Sequence, residues 1–475
     1  MQIGVVGTGY VGLVTGVCLA YLGHDVTCVD VDQSKIDALT EGKSPIYEPG
    51  LEPLLHDAIS SERIHFTTDI QKACSSEVIF IAVGTPPRTD GNPDLNFVQQ
   101  VARSIGSTIR DCDDGILRVI VNKSTVPIGS GNWVEMLVTE GQRENGDSNG
   151  NGPRRTGGLA SESGQRGKFV IASNPEFLRE GSAIHDTLYP DRIVIGASDT
   201  RAVNALRMLY EPILSQQFTE PAAIAPRPEG FRAVPLVVTD LASAEMIKYA
   251  ANAFLATKIS FANEIANICE RVGADVNEVT RGIGLDQRIG VRFLNAGVGW
   301  GGSCFGKDLA ALISIAGEYD YDPELLRAAV AVNSRQRQIV IRKLQHGLKI
   351  VKGRTIGLLG LAFKPETDDL RDAPSLTIAE SLLGMGARVK AFDPIASELC
   401  FKQRPDLDIV YAESADDLVD GCDAVVLVTE WDEFKRLDLK RVSELMAGDL
   451  FIDARNVVDP EALRRAGLRG EGIGR

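Results

Sequence analysis

A cysteine in a glycine-rich stretch is the residue of this chain best suited to covalent chemistry. Cys304 follows Gly301 and Gly302, which would let a substrate and the backbone approach the thiol closely. If a helix begins near this cysteine, Asp308 lies on the same helical face one turn later. A helix N-terminus and the neighbouring cation of Lys307 would both favour the thiolate. A lone cysteine of this kind is more often a structural residue, so the choice between structure and covalent catalysis depends on the rest of the chain.

The N-terminal residues carry a glycine pattern typical of dinucleotide-binding folds. An apolar strand at residues 3–6 leads into Gly7, Gly9 and Gly12, and a helical pattern follows. Gly7 would allow a tight turn, Gly9 the approach of a pyrophosphate, and Gly12 close packing of helix on strand. A second strand, at residues 25–29, ends in Asp30. A carboxylate there would bind ribose hydroxyls and repel a 2′-phosphate, so the pattern predicts an NAD-binding domain that disfavours NADP.

Length, charge and composition narrow the class of protein. The chain has 475 residues, of which 44% are hydrophobic, and a formal net charge of −15. This length predicts two or three domains. The acidic balance argues against nucleic-acid binding, and no apolar run is long enough to cross a membrane. The eight cysteines form no CxxC pair and the five histidines no ligand spacing. We therefore expect neither a disulfide framework nor a metal site, and a cytoplasmic location.

Alternating apolar runs and helical patterns predict an α/β fold with two doubly wound, Rossmann-like domains. The first covers residues 1–215, with further strands predicted at residues 78–83, 118–122, 169–172 and 192–195, and would bind NAD. The second covers residues 335–475, where one strand runs into glycines and the next ends in an acid. Because this second half lacks the full glycine fingerprint, its strand ends could hold a nucleotide-bearing substrate instead.

A long central helix is predicted to join these two domains. Residues 241–272 form a helical pattern without proline or glycine, with apolar residues on more than one face. This favours a helical dimerisation domain over residues 216–334, although a single buried helix within one subunit remains the alternative. Residues 141–167 are predicted to be a mobile surface insertion because they are rich in polar residues and glycine. A second irregular segment, residues 219–234, would link or decorate the first domain.

Several motifs together resemble the UDP-glucose 6-dehydrogenases, which belong to the nucleotide-sugar dehydrogenases. The matching segments lie at residues 7–12, 84–86, 123–127, 174–181, 245–252, 299–308 and 362–364. The resemblance runs nearly from end to end, and the two irregular insertions are its departures. It implies that C6 of UDP-glucose is oxidised twice, with two NAD⁺, to UDP-glucuronate. The protein would be a homodimer or a higher homo-oligomer.

The resemblance also implies roles for six catalytic residues. Cys304 would be the nucleophile, and Lys248 and Asn252 would clamp an oxyanion from one helical face, because they are four residues apart. Asp308 would orient or deprotonate a water. Glu176 would be a base, and Thr125 would bond a water or the cofactor.

Two further sets of residues are implied to bind the ligands. The expected NAD contacts are Gly7, Gly9, Tyr10, Val11, Gly12, Asp30, Lys35, Thr85, Thr125, Glu180, Lys307 and Arg371. The expected substrate contacts are Glu176, Phe177, Leu178, Lys248, Asn252, Arg292, Phe293, Leu294, Gly301, Lys364 and Arg455. Arg292 would act across the dimer interface. With Lys364 and Arg455, it would supply the local positive charge that an anionic substrate requires in an acidic protein.

Three alternatives stay open. A sister enzyme would oxidise GDP-mannose or a UDP-N-acetylhexosamine, although the segment at residues 303–308 favours the glucose enzyme. A one-step β-hydroxyacid dehydrogenase would share the first domain and the helical centre, but it would need neither Cys304 nor the second wound domain. A non-catalytic NAD-binding regulator is disfavoured by the joint presence of Lys248, Asn252, Cys304 and Asp308.

Overall fold

Two separate sheets, each covered by helices, organise the chain. The protein is described by a computed structural model that covers residues 1–88, 91–110, 114–144 and 168–475. The first compact unit is Met1–Tyr249 and the second is Ala250–Arg475. Helix α9 (Leu241–Val272) runs from the first unit into the second. The α/β class with two doubly wound sheets is therefore confirmed. The three domain ranges, 1–215, 216–334 and 335–475, stay predictions.

The first unit is built on an eight-stranded sheet in the order β3-β2-β1-β4-β5-β6-β7-β8. Its strands are parallel, apart from the antiparallel pair β6 and β7. The strands are β1 (Gln2–Val6), β2 (Asp25–Val29), β3 (Ile64–Thr67), β4 (Val78–Ile81), β5 (Arg118–Asn122), β6 (Phe169–Ser173), β7 (Ile193–Gly196) and β8 (Leu236–Thr239). The helices before α9 are α1 (Tyr10–Tyr21), α2 (Gln33–Thr40), α3 (Leu51–Ser60), α4 (Ile70–Cys74), α5 (Asn96–Ile109), α6 (Ser130–Glu144), α7 (Ala183–Leu188) and α8 (Thr200–Ser215). The strand order reverses between β1 and β4, and such a switch point opens a crevice at the carboxyl ends of the strands.

The second unit repeats this winding on a six-stranded parallel sheet in the order β11-β10-β9-β12-β13-β14. Its strands are β9 (Thr355–Leu359), β10 (Arg388–Phe392), β11 (Ile409–Tyr411), β12 (Ala424–Leu427), β13 (Leu450–Asp453) and β14 (Arg469–Glu471). Its helices after α9 are α10 (Val276–Gly284), α11 (Phe305–Glu318), α12 (Glu324–Leu348), α13 (Pro374–Gly384), α14 (Ser397–Gln403), α15 (Ala415–Val419), α16 (Asp432–Lys435), α17 (Leu439–Leu445) and α18 (Pro460–Arg465).

The central strands are largely apolar because both faces of each sheet are covered. β4, β5 and β12 are buried at every position. Separate hydrophobic clusters lie on the two faces of each sheet. The strands predicted at residues 25–29 and 118–122 have those bounds, and the predicted helix 241–272 is α9. Other predicted strands differ from the observed ones by one or two residues at their ends.

One prediction about the insertions is wrong in part. The mobile insertion predicted at residues 141–167 begins too early, because α6 continues through residue 144. The helix continues because Gly141 packs on α5: a Cβ at this position would lie 2.2 Å from the carbonyl oxygen of Arg103. The remainder of that insertion, residues 145–167, lies outside the described residues. The segment 219–234 has neither helix nor strand, and it packs on the first unit through buried Ala225 and Val234.

Helix α9 has two different faces. In the second unit its small residues Ala256, Ala262 and Ala266 are fully buried. Two large apolar side chains seven residues apart, Phe254 and Phe261, are 66% and 48% exposed. Over the described ranges, no helix has both the length and the apolar character that crossing a bilayer requires.

Candidate active site

The glycine loop after β1 has the geometry that the sequence predicts. Gly7 has a φ of +103°, and a Cβ there would lie 2.6 Å from the carbonyl oxygen of Ala82. A Cβ on Gly12 would lie 1.9 Å from the carbonyl oxygen of Gly7, so helix and loop can only approach this closely at a glycine. Gly9 faces open space, with no atom within 4 Å of a Cβ position. The loop therefore leaves room for a pyrophosphate at the N-terminus of α1.

Asp30 lies at the carboxyl end of β2, beside this loop. Its Oδ2 accepts hydrogen bonds from Thr8 N at 2.9 Å and Thr8 Oγ1 at 2.7 Å, and Oδ1 accepts one from Asp32 N at 3.1 Å. Lys35 Nζ lies 3.9 Å from Oδ2. Burial opposes ionisation, but these hydrogen bonds and the lysine lower the pKa of Asp30 below its usual value. Asp30 is thus held as a carboxylate in the position that a ribose acceptor requires.

A buried carboxyl group that the sequence analysis missed joins the glycine loop to a second loop. Tyr10 donates its hydroxyl proton to Glu48, and Glu48 accepts hydrogen bonds from Gly181 N at 2.6 Å and Ala183 N at 2.7 Å. Burial raises the pKa of Glu48, and burial together with this carboxyl group raises the pKa of Tyr10. The predicted cofactor contact Glu180 is the neighbour of Gly181, and it interacts electrostatically with Tyr10. The contact therefore brings Glu180 to the glycine fingerprint.

The loops after β4 and β5 are joined to each other. Thr85 is buried, and its Oγ1 donates to the carbonyl oxygen of Thr125 at 2.9 Å. Because the carboxyl ends of parallel strands share one edge of the sheet, both threonines lie at the edge where the glycine loop begins. Val11, the remaining predicted cofactor contact in this unit, lies half-buried in the first turn of α1.

Glu176 and Lys248 form a buried ion pair. Lys248 Nζ donates to Glu176 Oε1 at 2.8 Å, and Glu176 Oε2 accepts from Leu178 N at 2.7 Å. Their side chains are 8% and 6% exposed. Burial alone would raise the pKa of Glu176, but the ammonium of Lys248 and the hydrogen bonds lower it below its usual value. Two predicted catalytic residues that are far apart in the sequence therefore meet as ions.

Phe177, the residue between Glu176 and Leu178, has two cations beside its ring. The guanidinium of Arg192 is 3.6 Å from its ring centroid, and Lys248 Nζ is 5.5 Å from it. Cation–π contacts of this kind are favourable when the cation is partly desolvated. They fix the loop that carries Glu176 against β7 and α9. Arg192 is a second residue that the sequence analysis did not identify.

Cys304 is the residue that caps α11 in the second unit. Asp308 N donates to the carbonyl oxygen of Cys304 at 2.9 Å, which is the first hydrogen bond of the helix. The thiol is exposed, whereas the other described cysteines, Cys18, Cys28, Cys74, Cys269, Cys400 and Cys422, are buried. Ser303 Oγ lies 3.4 Å from Cys304 Sγ. The predicted helix start is therefore observed, and the thiol is positioned at the positive end of the helix dipole.

Asp308 is buried between two partners. Asn252 Nδ2 donates to Asp308 Oδ2 at 2.6 Å, and Lys307 Nζ donates to Oδ1 at 2.8 Å. Asp308 itself is 1% exposed. Asn252 lies on α9 four residues after Lys248, so the helical period places the two on one face. The structure thus connects four of the predicted residues in two groups: Glu176 with Lys248, and Asn252 with Asp308.

The loop before Cys304 is held by α12. Asn333 accepts a hydrogen bond from Trp300 N at 2.8 Å and donates to the carbonyl oxygen of Trp300 at 2.9 Å. One turn later, Arg337 Nη2 donates to the same carbonyl oxygen at 3.2 Å. At Gly301, a Cβ would lie 2.3 Å from the carbonyl oxygen of Asp372, so this predicted substrate contact needs glycine for packing.

Arg455 brings three predicted segments of the second unit together. Its guanidinium donates to the carbonyl oxygens of Val428 at 2.7 Å, Phe363 at 3.0 Å and Gly299 at 3.3 Å. Lys364, which follows Phe363, lies with its Nζ 5.5 Å from the ring of that residue. Arg455 therefore joins the loop that carries Lys364 to the cysteine loop.

The remaining predicted residues also belong to the second unit. Leu294 is buried, and the ring of Phe293 faces that of Phe305 with centroids 6.5 Å apart. Arg292 is exposed. Arg371 is also largely exposed and pairs with Asp369, with 2.7 Å between Nε and Oδ1.

The second sheet uses its strand-end acid and its turn glycine for internal contacts. Its acid at the position that Asp30 has in the first unit is Asp393, and this carboxylate is fully used by the protein. Oδ2 accepts from Leu361 N at 2.8 Å and Trp431 Nε1 at 3.2 Å, and Oδ1 accepts from two further backbone groups. A Cβ on Gly360 would lie 2.3 Å from Cβ of Thr429, so side chain fills the space above the turn.

Comparison with known proteins gives three family matches that cover most of the chain. Profiles of the UDP-glucose/GDP-mannose dehydrogenase family match through the NAD binding domain over residues 1–214, the central domain over residues 242–335 and the UDP binding domain over residues 357–460.

Individual relatives are similar over their full lengths. The UDP-glucose 6-dehydrogenases YwqF and TuaD of Bacillus subtilis (strain 168) are 43% and 44% identical to this chain. Each alignment covers 100% of this chain, with 98% of YwqF and 93% of TuaD. A solved structure of a UDP-glucose dehydrogenase from the hyperthermophilic archaeon Pyrobaculum islandicum is 38% identical, with a TM-score of 0.84 over 100% of this chain and 97% of that one.

Proposed function

Because the chain belongs to the UDP-glucose/GDP-mannose dehydrogenase family, we propose that it oxidises C6 of UDP-glucose to the carboxylate of UDP-glucuronate. The enzyme is NAD-dependent, and its first unit carries the matched NAD binding domain. Each turnover takes one UDP-glucose, two NAD⁺ and one water to UDP-glucuronate, two NADH and protons. The observation that carries a four-electron oxidation is the exposed Cys304 thiol, one helical turn before the buried Asp308–Asn252 pair.

The first oxidation requires a group that accepts the hydroxyl proton of C6. NAD⁺ supplies the hydride acceptor in both oxidations. We assign Glu176 as the proton acceptor, because it is buried and held ionised beside Lys248. Thr125, on the neighbouring strand end, would bond a water or the cofactor. The ammonium of Lys248 would stabilise negative charge that develops on the oxygen of C6.

The second oxidation uses the thiol. Cys304 would add to the C6 aldehyde and form a thiohemiacetal, so that loss of a second hydride gives a thioester rather than a free aldehyde. Lys248 and Asn252 lie on one face of α9, and both are donors suited to the oxygen of this adduct. Water then hydrolyses the thioester and releases the acid and the thiol. Asp308 would orient that water, since its carboxylate is fixed by Asn252 and Lys307.

The ligands would be bound by both sheets. The glycine loop with Asp30, and the loops carrying Thr85, Thr125 and Glu180, would hold the cofactor. The loops of the second unit that carry Lys364 and Arg455 would hold the uridine diphosphate, in line with the UDP binding domain matched there. Phe177, Leu178, Phe293, Leu294 and Gly301 would contact the sugar or the nucleotide. Lys35, Lys307 and Arg371 remain proposed cofactor contacts.

Counting NADH tests this function. With limiting UDP-glucose and excess NAD⁺, two NADH should form per sugar, and no aldehyde should be trapped by an added hydrazine. A single NADH per sugar at completion, or a stoichiometric trapped aldehyde, would show a one-step alcohol dehydrogenase instead.

The sister activity on GDP-mannose or a UDP-N-acetylhexosamine is the second candidate. The full-length similarity to two UDP-glucose 6-dehydrogenases at 43% and 44% identity favours UDP-glucose. Parallel assays with the three nucleotide sugars decide between them: kcat/KM should be highest for UDP-glucose.

We also propose a homodimer in the cytoplasm. The exposed apolar residues of α9 at seven-residue spacing, Phe254, Phe261 and Ile268, would be covered by the same helix of a second subunit. The described cysteines form no disulfide, which suits a reducing compartment. Cell fractionation tests the location, and native mass measurement tests the assembly.

A further inference from the structure

A second buried lysine lies in the same unit as the Glu176–Lys248 pair. Lys123 follows directly after β5 and is 8% exposed. Its Nζ donates to Asn174 Oδ1 at 3.0 Å and lies 5.7 Å from the ring centroid of Phe80. An ammonium in such surroundings is unfavourable unless other groups compensate for its lost hydration. Packing alone therefore does not explain why a lysine occupies position 123.

Asn174 is held firmly by groups from three elements. Its Oδ1 also accepts a hydrogen bond from Tyr210 on α8, at 2.6 Å. Its Nδ2 donates to the carbonyl oxygen of Val194 on β7, at 2.8 Å. Asn174 precedes Glu176 by two residues, so Lys123 joins the end of β5 to the loop that carries this carboxylate. Lys123 is also two residues from Thr125.

Charge connects Lys123 to the proposed catalytic pair. The ionisable groups that bear on Lys123 are Glu176, which favours its charge, and Lys248, which opposes it. Burial is the largest influence and lowers the pKa of Lys123 to about 8. The pKa of Glu176 is in turn lowered by two cations, Lys248 from α9 and Lys123 from the loop after β5. The three groups, two ammoniums and one carboxylate, are buried and influence one another electrostatically.

We propose that Lys123 is a positioning residue that holds Glu176 ionised beside Lys248 and fixes its loop through Asn174. This inference rests on the proposed role of Glu176 as the proton acceptor. A single lysine beside a buried carboxylate would have to compensate alone for the hydration that the carboxylate loses on burial. Two ammoniums leave the three groups with a net positive charge, which also suits an alkoxide at C6.

The pH dependence of the reaction follows from this arrangement. Glu176 accepts a proton only when it is ionised, so kcat/KM falls as the pH falls through its pKa. Without the charge of Lys123, that pKa rises, because one of the two cations that oppose burial is gone. The acid limb of the profile then moves to higher pH, and it does not move if Lys123 serves packing alone.

Two variants separate charge from packing. Lys123→Gln keeps a donor for Asn174 but has no charge, and Lys123→Met has neither. For both, the acid limb of kcat/KM for UDP-glucose should move up by about 0.5–1 pH unit, the usual size for loss of one nearby charge. Lys72→Met, an exposed lysine of the same unit, is the matched control and should leave the limb unchanged. Glu176→Gln should flatten the limb and so assign it.

The outcomes are distinct. An acid limb that Lys123→Gln leaves at the wild-type pH overturns the inference, whatever happens to thermal stability. If neither neutral variant folds, Lys123→Arg decides: it retains the charge, so its limb should coincide with the wild type, and an upward displacement contradicts the proposal. If the wild type makes no NADH from UDP-glucose, the proposed function fails first, and the two failures cannot be confused.

Discussion

Asn252 and Asp308, which are 56 residues apart in the chain, share a hydrogen bond of 2.6 Å in which the amide of Asn252 donates to the buried carboxylate. Lys307 holds the other carboxylate oxygen at 2.8 Å. Neither oxygen can turn without losing a partner, so Asp308 presents a fixed acceptor one turn from Cys304. This rigidity suits a group that orients a hydrolytic water.

Replacing Asp308 by asparagine should therefore affect the last step most. The Asp308→Asn variant loses the charge that pairs with Lys307, and hydrolysis of the thioester should slow. We expect kcat to fall on the order of 10²–10⁴-fold, while rapid mixing still shows a burst of NADH. Intact-protein mass should reveal the sugar nucleotide attached at Cys304. A variant with normal turnover would show that Asp308 is structural, and Asp408→Asn, at an exposed position, is the control.

Selective alkylation should identify Cys304 as the reactive thiol. Of the described cysteines it is the exposed one, so a brief treatment with iodoacetamide should modify it first and abolish UDP-glucuronate formation. UDP-glucose should slow the labelling. The Cys304→Ala variant should resist labelling and lose overall turnover by several decades, as expected when a covalent nucleophile is removed. A Cys304→Ala variant that keeps its turnover and is inactivated by iodoacetamide at the wild-type rate would assign the chemistry to another residue.

Cofactor choice should depend on Asp30. Its carboxylate is ionised and held in place by Thr8, so it should repel a 2′-phosphate. Asp30→Ser removes this charge, and the ratio of kcat/KM for NAD to that for NADP should fall about tenfold, the equivalent of roughly 1.4 kcal/mol. Asp37→Ser, at an exposed position on α2, should not change the ratio. A wild type that uses both cofactors equally would refute the role of Asp30.

Glu245 should make stability depend on pH. It is 4% exposed, and it accepts hydrogen bonds from Gly129 N at 2.6 Å and Gly131 N at 2.9 Å, at the N-terminus of α6. Burial outweighs these bonds and raises its pKa from 4.5 to about 7. The folded state thus binds the proton more tightly than the unfolded one. Its contribution to the free energy of unfolding is full below the unfolded pKa and is lost as the pH rises through 7.

Urea unfolding at pH 5 and pH 8 measures this contribution. Glu245→Gln has no titrating group, so the wild type should lose up to roughly 3 kcal/mol relative to that variant between the two pH values. Glu135→Gln, an exposed acid on α6, should follow the wild type. A wild type and a Glu245→Gln variant that respond to pH in parallel would contradict the prediction.

What the sequence predicts well in this protein is local. The strands at residues 25–29 and 118–122 and helix α9 follow from apolar periodicity, because buried parallel strands and long helices impose their own repeats. The Cys304–Asp308 relation follows from the helical period alone. The start predicted for the insertion, residue 141, is wrong because the polar, glycine-containing sequence does not reveal the neighbouring helix on which Gly141 packs.

The contacts that define the site depend on tertiary structure. Glu48 meets Gly181 across 133 residues, and Lys123 meets Asn174 across 51. The spacing of Glu48 or Lys123 from other polar residues does not predict these contacts. In the sequence, an isolated acid or lysine resembles a surface residue. For Lys123, the signals in the sequence are its position directly after strand β5 and at the start of the motif segment 123–127. The strand order of the sheet places the ends of β5 and β6 side by side, and only this brings Lys123 to the loop that carries Glu176.

Assembly and catalysis should be connected through Arg292, which is exposed in its own subunit. If α9 pairs with its symmetry mate through Phe254, Phe261 and Ile268, Arg292 can serve the substrate of the neighbouring subunit. Arg292→Ala and Cys304→Ala should each be inactive alone. Mixed after dissociation, they should regain about a quarter of wild-type activity, because half of the dimers are mixed and each carries one intact site.

The interface itself provides the control for this complementation. A charge in the apolar stripe, Phe261→Glu, should prevent dimer formation, and adding it to both variants should abolish the recovery of activity without unfolding either chain. Native mass measurement shows whether mixed dimers form. If they form and remain inactive, Arg292 acts within its own chain or has no part in the reaction. If activity returns while Phe261→Glu proteins remain monomeric, the complementation does not depend on α9.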